Sequence, residues 1–202
     1  MTRSFPISYI IKPSIWILAL MPLAWLFWLI VSQGTGPNSA EFINRYLGAW
    51  ALKILWISLS ITPVRLITRI NVLTKVRRLV GLFSFFYVTL HLASYIALDQ
   101  FFDWSAIWND ITKRTFITFG VIGFLILSAL AMTSTRAMIK KIGSRNWNRL
   151  HKGVYIAAGL VAIHFTMMRK GFQIEPLIYA GILASLLAVR AFYWIKEHGR
   201  GT

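Results

Sequence analysis

The side chains in this sequence that are best suited to hold a metal belong to its four histidines: His91, His151, His164 and His198. His91 lies in the apolar stretch VTLHLASY, residues 88–95, and His164 lies in the similar stretch GLVAIHF, residues 159–165. An imidazole in such surroundings either forms a hydrogen bond to a neighbouring segment or takes part in function. His198 belongs to the polar tail EHGR, so we expect it to be solvated.

The other residue types narrow the kind of metal. The chain has no cysteine, which excludes disulfides, iron–sulfur clusters and cysteine zinc sites. No acidic residue adjoins His91 or His164 in the sequence to complete a tetrahedral zinc site. A haem iron needs only two axial ligands, and its porphyrin suits an apolar pocket. The sequence therefore favours a haem that His91 and His164 hold from opposite faces.

Long apolar segments must position these histidines. Hydrophobic residues make up 57% of the 202 residues and charged residues only 14%, as in an integral membrane protein. Six segments approach the ~20 residues that a transmembrane helix needs: 14–31, 46–64, 80–98, 116–133, 151–168 and 177–195. We expect an all-α bundle of six membrane helices, forming one transmembrane domain over residues 1–202, with the first helix retained rather than cleaved as a signal peptide.

The charged residues predict which way the helices run. The net charge of +16 falls in short clusters between the apolar segments, which indicates membrane topology and argues against nucleic-acid binding. Basic residues concentrate in loops 65–78 and 136–149, and most acidic residues lie in the alternate loops. By the positive-inside rule, the basic loops and both termini are cytoplasmic. The third and fifth helices then run outward, which puts His91 and His164 at similar depths toward the outer side.

His151 lies at the other end of the fifth segment, 13 residues before His164. That is about 20 Å along a helix, the depth of a second haem, but the two rings would differ in direction by about 220°. The corresponding position before His91 is Arg78, with Arg77 beside it. His151 is therefore either a second haem ligand or an interfacial residue. Arg77 and Arg78 either set the topology or contact haem propionates or a phosphate.

The outer loops offer a surface for a partner protein. We expect loop 99–114 and the turn 169–176 to form a docking rim, with Asp103 and Asp110 as its charges. Helical spacing also places the aromatic residues Trp104 and Trp108 on one face of the first loop, together with Ile111. This pattern is typical of a segment that lies along the membrane surface.

Several stretches together resemble one family. They are ALKILWISLSITPVR (51–65), RRLVGLFSFFYVTLHLASY (77–95), TSTRAMIKKIG (133–143), NWNRLHKGVYIAAGLVAIHF (146–165) and PLIYAGILASLLAVR (176–190). They resemble the MsrQ family, formerly YedZ, within the ferric-reductase-like transmembrane group. The resemblance covers the second to sixth helices, and its blocks around the histidines are its most specific part.

The resemblance implies a haem-binding membrane subunit in the bacterial inner membrane. The family's histidines map onto His91, His151 and His164, and the family carries one or two b-type haems and is associated with FMN. Its electrons come from quinol or from a cytosolic flavin reductase. They pass to MsrP, a periplasmic molybdopterin enzyme that reduces methionine sulfoxide in proteins. We expect an electron-transfer subunit with no catalytic residues of its own, and a donor that is a separate chain.

Two other functions fit parts of the sequence. One is a self-sufficient transmembrane reductase for ferric chelates or quinone. The other is a non-redox membrane transporter, although we find no acidic residue within a span and no paired helix interruptions of the kind that transporters use. The b-type absorption bands of a purified protein distinguish the redox functions from transport.

Overall fold

The computed structural model describes residues 8–32, 34–169 and 173–198, and within them every regular element is helical. The α-helices of these ranges are α1 (Ser8–Ser32), α2 (Ser39–Thr68), α3 (Thr74–Ser94), α4 (Trp104–Lys113), α5 (Thr115–Met132), α6 (Arg136–Ile142), α7 (Ser144–Leu150), α8 (Gly153–Met168) and α9 (Ile174–His198). A 3₁₀ turn over Asn71–Leu73 leads into α3, and a π-helical turn over Tyr95–Asp99 continues it.

Six helical stretches are long and apolar enough to span a membrane: Ile10–Ser32, Ser39–Thr68, Asn71–Asp99, Thr115–Met132, Ser144–Met168 and Ile174–Lys196. Each of them overlaps one of the six predicted segments, so the all-α prediction is confirmed and the chain is a multi-pass membrane protein. Large apolar side chains on these stretches are exposed, Ile17 by 69% and Phe27 by 69%. Such surface suits lipid rather than water. The cytoplasmic location of the termini stays a prediction, and the side chain of His198 lies outside the described residues.

The second span is longer than its apolar core predicts. Asn38 caps the start of α2 by accepting a hydrogen bond from the Glu41 amide at 3.1 Å. Arg69 ends the helix in the left-handed conformation, and its amide donates to the Arg65 carbonyl at 2.8 Å. Hydropathy does not register such polar caps, so the sequence-based bounds of 46–64 are too short at both ends.

The chain forms two compact units, residues 1–95 and 96–202. In the first unit α2 and α3 pack along their lengths. The core between them includes Leu47, Ile54, Val80 and Phe83. Ser84 is fully buried and donates to the Ala51 carbonyl at 3.2 Å, the kind of close polar contact that joins helices in lipid.

Helix α1 attaches to this pair through two tyrosine hydroxyl groups. Tyr46 on α2 donates to the Pro22 carbonyl at 2.9 Å, and Tyr87 on α3 donates to the Ala19 carbonyl at 2.7 Å. Tyr87 is fully buried. Because lipid offers no water to the phenol groups, these backbone acceptors fix where α1 lies against α2 and α3.

In the second unit α5 and α8 form the main pair, and α9 packs on α8. Small residues bring α5 and α8 close together: Ala157 and Ala158 are fully buried, and Gly123 faces Val161. The Arg190 guanidinium of α9 donates to the Tyr155 hydroxyl of α8 and lies 4.9 Å from the centre of its ring.

The shorter helices of this unit carry charge. Exposed basic side chains occupy α6 and α7, namely Arg136, Lys140, Lys141, Arg145 and Arg149. Thr135 caps α6 by accepting a hydrogen bond from the Met138 amide, and Gly143 joins the two helices at φ 82°. A residue with a side chain is strained at that φ value, so glycine allows the sharp turn.

Candidate cofactor-ligand histidines

His91 lies near the end of α3, and its ring is hydrogen-bonded to the neighbouring helix α2. The Nδ1 atom is 2.9 Å from the backbone carbonyl oxygen of Asn44. A carbonyl oxygen can only accept, so Nδ1 carries the proton. In the neutral ring the lone pair is then on Nε2, the atom that an axial ligand offers to iron.

His164 on α8 repeats this arrangement in the second unit. Its Nδ1 atom is 2.6 Å from the backbone carbonyl oxygen of Phe116 on α5. The accepting carbonyl lies 47 residues before His91 and 48 residues before His164. Both rings therefore have the same tautomer for the same reason, and both present Nε2 as the donor atom.

A glycine accompanies each ring. An ideal Cβ atom on Gly48 would lie 3.1 Å from Nδ1 and Cε1 of His91. An ideal Cβ atom on Gly120 would lie 3.0 Å from Nδ1 of His164. Both distances are shorter than ordinary van der Waals contact. Each glycine comes four residues after the residue whose carbonyl accepts the hydrogen bond, Asn44 or Phe116.

Sequence reasoning missed these three supporting residues: Asn44, Gly48 and Gly120. It assigned none of the three a part in holding a histidine. The available signal was the recurrence of a glycine at nearly the same spacing before each intramembrane histidine. The hydrogen bond itself depends on which two helices pair, and no local pattern in the sequence records that.

His151 has different surroundings. Its ring stacks on Trp147 with the ring centres 3.9 Å apart, and its Nε2 atom is 3.3 Å from the Thr133 hydroxyl oxygen. The Trp147 indole N–H donates to the Thr133 carbonyl at 2.9 Å. In this arrangement Nε2, the usual iron donor, points to a hydroxyl group. The three candidate ligands thus have two kinds of surroundings. The rings of His91 and His164 bond to a backbone carbonyl through Nδ1, whereas Nε2 of His151 faces a hydroxyl group.

The predicted fifth segment, about 151–168, covers only part of the span Ser144–Met168, which consists of the two helices α7 and α8. His151 ends α7, and α8 begins at Gly153. Between them the Lys152, Val154 and Tyr155 amides donate to carbonyls three residues earlier. Such 3₁₀-type bonds turn the chain by about 20° more per residue than an α-helix. The 220° derived from an ideal helix therefore does not apply to His151 and His164.

Arg77 and Arg78 lie in the first turns of α3 and differ in exposure. Arg77 is half-buried, and its carbonyl accepts a hydrogen bond from Ser58 at 3.4 Å, whereas Arg78 is exposed. Helix α3 is regular from Thr74 to Ser94. Over the 14 residues from Arg77 to His91 it turns about 1400°, only about 40° short of four turns. Arg77 is therefore nearer to the His91 face than Arg78.

Two of the predicted docking residues have structural roles. Asp103 caps α4 by accepting a hydrogen bond from the Ala106 amide at 3.0 Å. Asp110 is only 8% exposed and pairs with Arg114 at 3.1 Å, so little of its charge reaches the surface, and its part in docking stays a prediction. Trp104 and Trp108 are exposed as expected, by 64% and 69%. Residues 170–172 of the second predicted docking segment lie outside the described residues.

The donor set of the described residues suits axial ligation of a haem. No group of three or more histidine, cysteine, aspartate or glutamate side chains occurs there that could hold a metal ion by itself. These residues instead include single imidazoles on apolar helices. The Nδ1 hydrogen of His91 and that of His164 are each bonded to a backbone carbonyl. A porphyrin supplies the other four ligands of an iron, so one imidazole on each side suffices.

Comparison with known proteins identifies the relatives of this chain. Residues 13–162 match the family described as ferric reductase like transmembrane component. The protein-methionine-sulfoxide reductase heme-binding subunit MsrQ of Rhodospirillum rubrum is 50% identical, over 93% of this chain and 90% of that protein. The subunit of the same name from Polaromonas naphthalenivorans is 45% identical, over 94% of this chain and 88% of that protein.

The chain belongs to the MsrQ family. The resemblance seen in the sequence is thereby confirmed. The magnetosome protein MamZ of Magnetospirillum gryphiswaldense is also similar, at 42% identity over 91% of this chain, but the match covers only 29% of MamZ. An MsrQ-like unit therefore also occurs as part of a longer protein.

Proposed function

We propose that this chain is a haem b electron-transfer subunit of a protein-methionine-sulfoxide reductase system in the bacterial inner membrane. The observation that carries the proposal is the pair of carbonyl-bound imidazoles, His91 and His164, in a chain whose relatives are named heme-binding subunits. When bound, a bis-imidazole haem supplies one-electron transfer without an open position for substrate.

The residues of this chain would hold such a haem by their Nε2 atoms. Asn44 and Phe116 fix the tautomer through their carbonyl oxygens, and the apolar helices around the rings exclude water. The prediction that His91 and His164 bind one iron from opposite faces rests on their matched depth in the third and fifth predicted helices. His151 would be the ligand of a second haem, with its ring turned away from Thr133.

The partners follow from the family. Electrons would come from the quinone pool or from a cytosolic flavin reductase, and would leave to the periplasmic molybdopterin subunit MsrP. FMN is a further cofactor in this proposal, with Arg77 the better placed of the two arginines for a phosphate or propionate because it is half-buried on the His91 side of α3.

The test is the visible spectrum of the purified protein. We expect b-type bands in the reduced-minus-oxidised spectrum and a low-spin signal in electron paramagnetic resonance. His91→Ala and His164→Ala should each lose most of the haem or leave it high-spin. Matched controls are Thr89→Ala and Thr166→Ala, exposed hydroxyls two residues from each histidine that bond only within their own helix. They should keep the haem.

Two results would contradict these expectations. An unsubstituted protein without b-type bands would remove the redox proposal and leave membrane transport as the alternative. Haem in the unsubstituted protein that survives both histidine substitutions would assign the iron to other ligands. Reduction of MsrP by the purified subunit with a quinol donor separates an electron-transfer subunit from a self-sufficient ferric or quinone reductase.

A further inference from the structure

The accepting carbonyl groups in both units lie within a regular helix. In an α-helix the carbonyl oxygen of residue i already accepts from the amide of residue i+4. A second lone pair remains, and the side chain of residue i+4 leans toward the helix N-terminus, beside that carbonyl. A hydroxyl group can still reach such an oxygen past a leucine, as Tyr46 and Tyr87 do at Pro22 and Ala19. The broader imidazole rings here lie where residue i+4 would carry its Cβ atom.

Residue i+4 is glycine at both places. Gly48 follows Asn44 and Gly120 follows Phe116 by four residues, and each glycine faces the ring that donates. The arrangement of carbonyl, glycine and imidazole thus occurs twice, on different helices and in different units. Two independent occurrences with the same geometry point to a requirement of the ring rather than to helix packing.

We propose that Gly48 and Gly120 are positioning residues for the axial imidazoles, and this inference rests on the proposed haem function. Each glycine leaves room for an imidazole ring whose Nδ1 hydrogen is bonded to the carbonyl four residues before that glycine. The resulting hydrogen bond fixes the ring plane and tautomer, and it raises the basicity of Nε2 toward iron. The glycines touch no substrate and act only through His91 and His164.

A methyl group at either position acts directly on this bond. In Gly120→Ala the new Cβ atom would lie 3.0 Å from Nδ1 of a ring held by a 2.6 Å hydrogen bond. The ring must move by a few tenths of an ångström, which lengthens or bends the bond. We expect the haem affinity to fall by about 10- to 100-fold, the usual loss when an outer-shell partner of a metal ligand is removed.

The test measures the ligand field as well as haem content. Gly48→Ala and Gly120→Ala should shift the low-spin g values or convert part of the signal to high-spin. The midpoint potential of the haem should become more positive, because a less basic imidazole stabilises the oxidised iron less. The matched controls are Gly159→Ala, on the same helix as His164 with open space around its Cβ, and Gly81→Ala, on the same helix as His91 with one contact at 3.4 Å.

A rescue experiment separates ring positioning from loss of fold. His91→Gly removes one ligand, and added imidazole should restore the low-spin signal by entering the space. The double variant His91→Gly with Gly48→Ala should be restored at similar imidazole concentrations, because the added ring is not linked to α3 and can shift away from the methyl group. A double variant that imidazole fails to restore would show that Gly48 serves packing, and would overturn the inference.

The two proposals fail in different ways. An unsubstituted protein without haem contradicts the proposed function. An unsubstituted protein with low-spin haem whose signal, potential and haem content are unchanged in Gly48→Ala and Gly120→Ala contradicts only the positioning role.

Discussion

Asn44 and His91 exchange two hydrogen bonds across the α2–α3 pair. The Asn44 side-chain amide donates to the His91 backbone carbonyl at 3.1 Å, and the His91 ring donates to the Asn44 backbone carbonyl at 2.9 Å. The same amide also donates to the Ser94 hydroxyl oxygen at 3.0 Å. Asn44 therefore fixes both the backbone and the ring of His91, the backbone through its side chain and the ring through its main-chain carbonyl.

The first prediction concerns Asn44→Ala. This change removes the amide bonds but keeps the carbonyl that holds Nδ1, so the low-spin signal should persist. The free energy of unfolding should fall by about 1 kcal/mol, within the range of hydrogen bonds between membrane helices. Denaturation of the purified protein, followed by the haem absorption, measures it. Ser60→Ala, whose hydroxyl bonds within α2 itself, is the control. Loss of haem as complete as in His91→Ala would contradict the separation of the two bonds.

The second prediction concerns His151. Because its Nε2 atom faces Thr133 and its ring stacks on Trp147, it should serve a less firmly held haem than the other two histidines. His151→Ala should lower the haem-to-protein ratio and leave the outer low-spin signal intact. It should also slow electron entry from the cytoplasmic side.

Thr133→Val tests the same cluster without touching a ligand candidate. It removes the hydroxyl partner of His151 and should leave the haem ratio unchanged or higher, since the ring is released toward iron. Full haem content and full activity in His151→Ala would mean that the residue is structural. Loss of the outer low-spin signal in that variant would make His151 a ligand of the outer haem.

The third prediction separates the two arginines at the start of α3. Arg77→Gln should reduce binding of an anionic cofactor group by about tenfold or more, the weight of a charge-assisted hydrogen bond. Arg78→Gln should have a much smaller effect, because Arg78 is exposed and further from the His91 face. Haem and FMN content of the purified variants are the measurements. Equal losses in both variants would show that the side of α3 on which each arginine lies does not affect cofactor binding.

The fourth prediction revises how the docking loop is tested. Charge reversal at Asp103 would also remove the cap of α4, so a slower reaction would be ambiguous. Asp103→Asn keeps a good cap and removes only the charge, whereas Asp103→Ala removes both and should cost about 1 kcal/mol of stability. If the charge guides docking, both variants should slow electron transfer to MsrP at low salt, where surface charges act most strongly. Unchanged transfer in Asp103→Asn would exclude this charge from the dock.

The sequence predicted the features that depend on local composition. The six spans and the helical class follow from hydropathy over about 20 residues, and the structure has them. The histidines His91 and His164 were found because an imidazole is conspicuous in an apolar helix. Hydropathy gives the apolar length of a helix but not its polar caps, which is why Asn38 and Arg69 extend α2 beyond its predicted ends.

The features that sequence reasoning missed depend on contacts between helices. The hydrogen bond from His91 to Asn44 requires that α2 lie beside α3. The role of Gly48 beside the His91 ring becomes visible only once that bond is known. Asp110 was taken for a surface charge because the sequence alone does not show that it is buried in the folded chain and paired with Arg114. At His151 the chain likewise departs from an ideal helix because of 3₁₀-type hydrogen bonds. The periodicity of the sequence does not predict these bonds.

The location of each imidazole bond within one unit has a consequence for biosynthesis. The hydrogen bond of the His91 ring joins residues 44 and 91, both of which are synthesised before the second half of the chain. The His164 ring is held in the same way by residues of the later half. Each of these two rings is thus oriented by its own helix pair, as expected when parts of a chain fold in order of synthesis. If haem binds as proposed, it would meet rings whose direction these hydrogen bonds already fix.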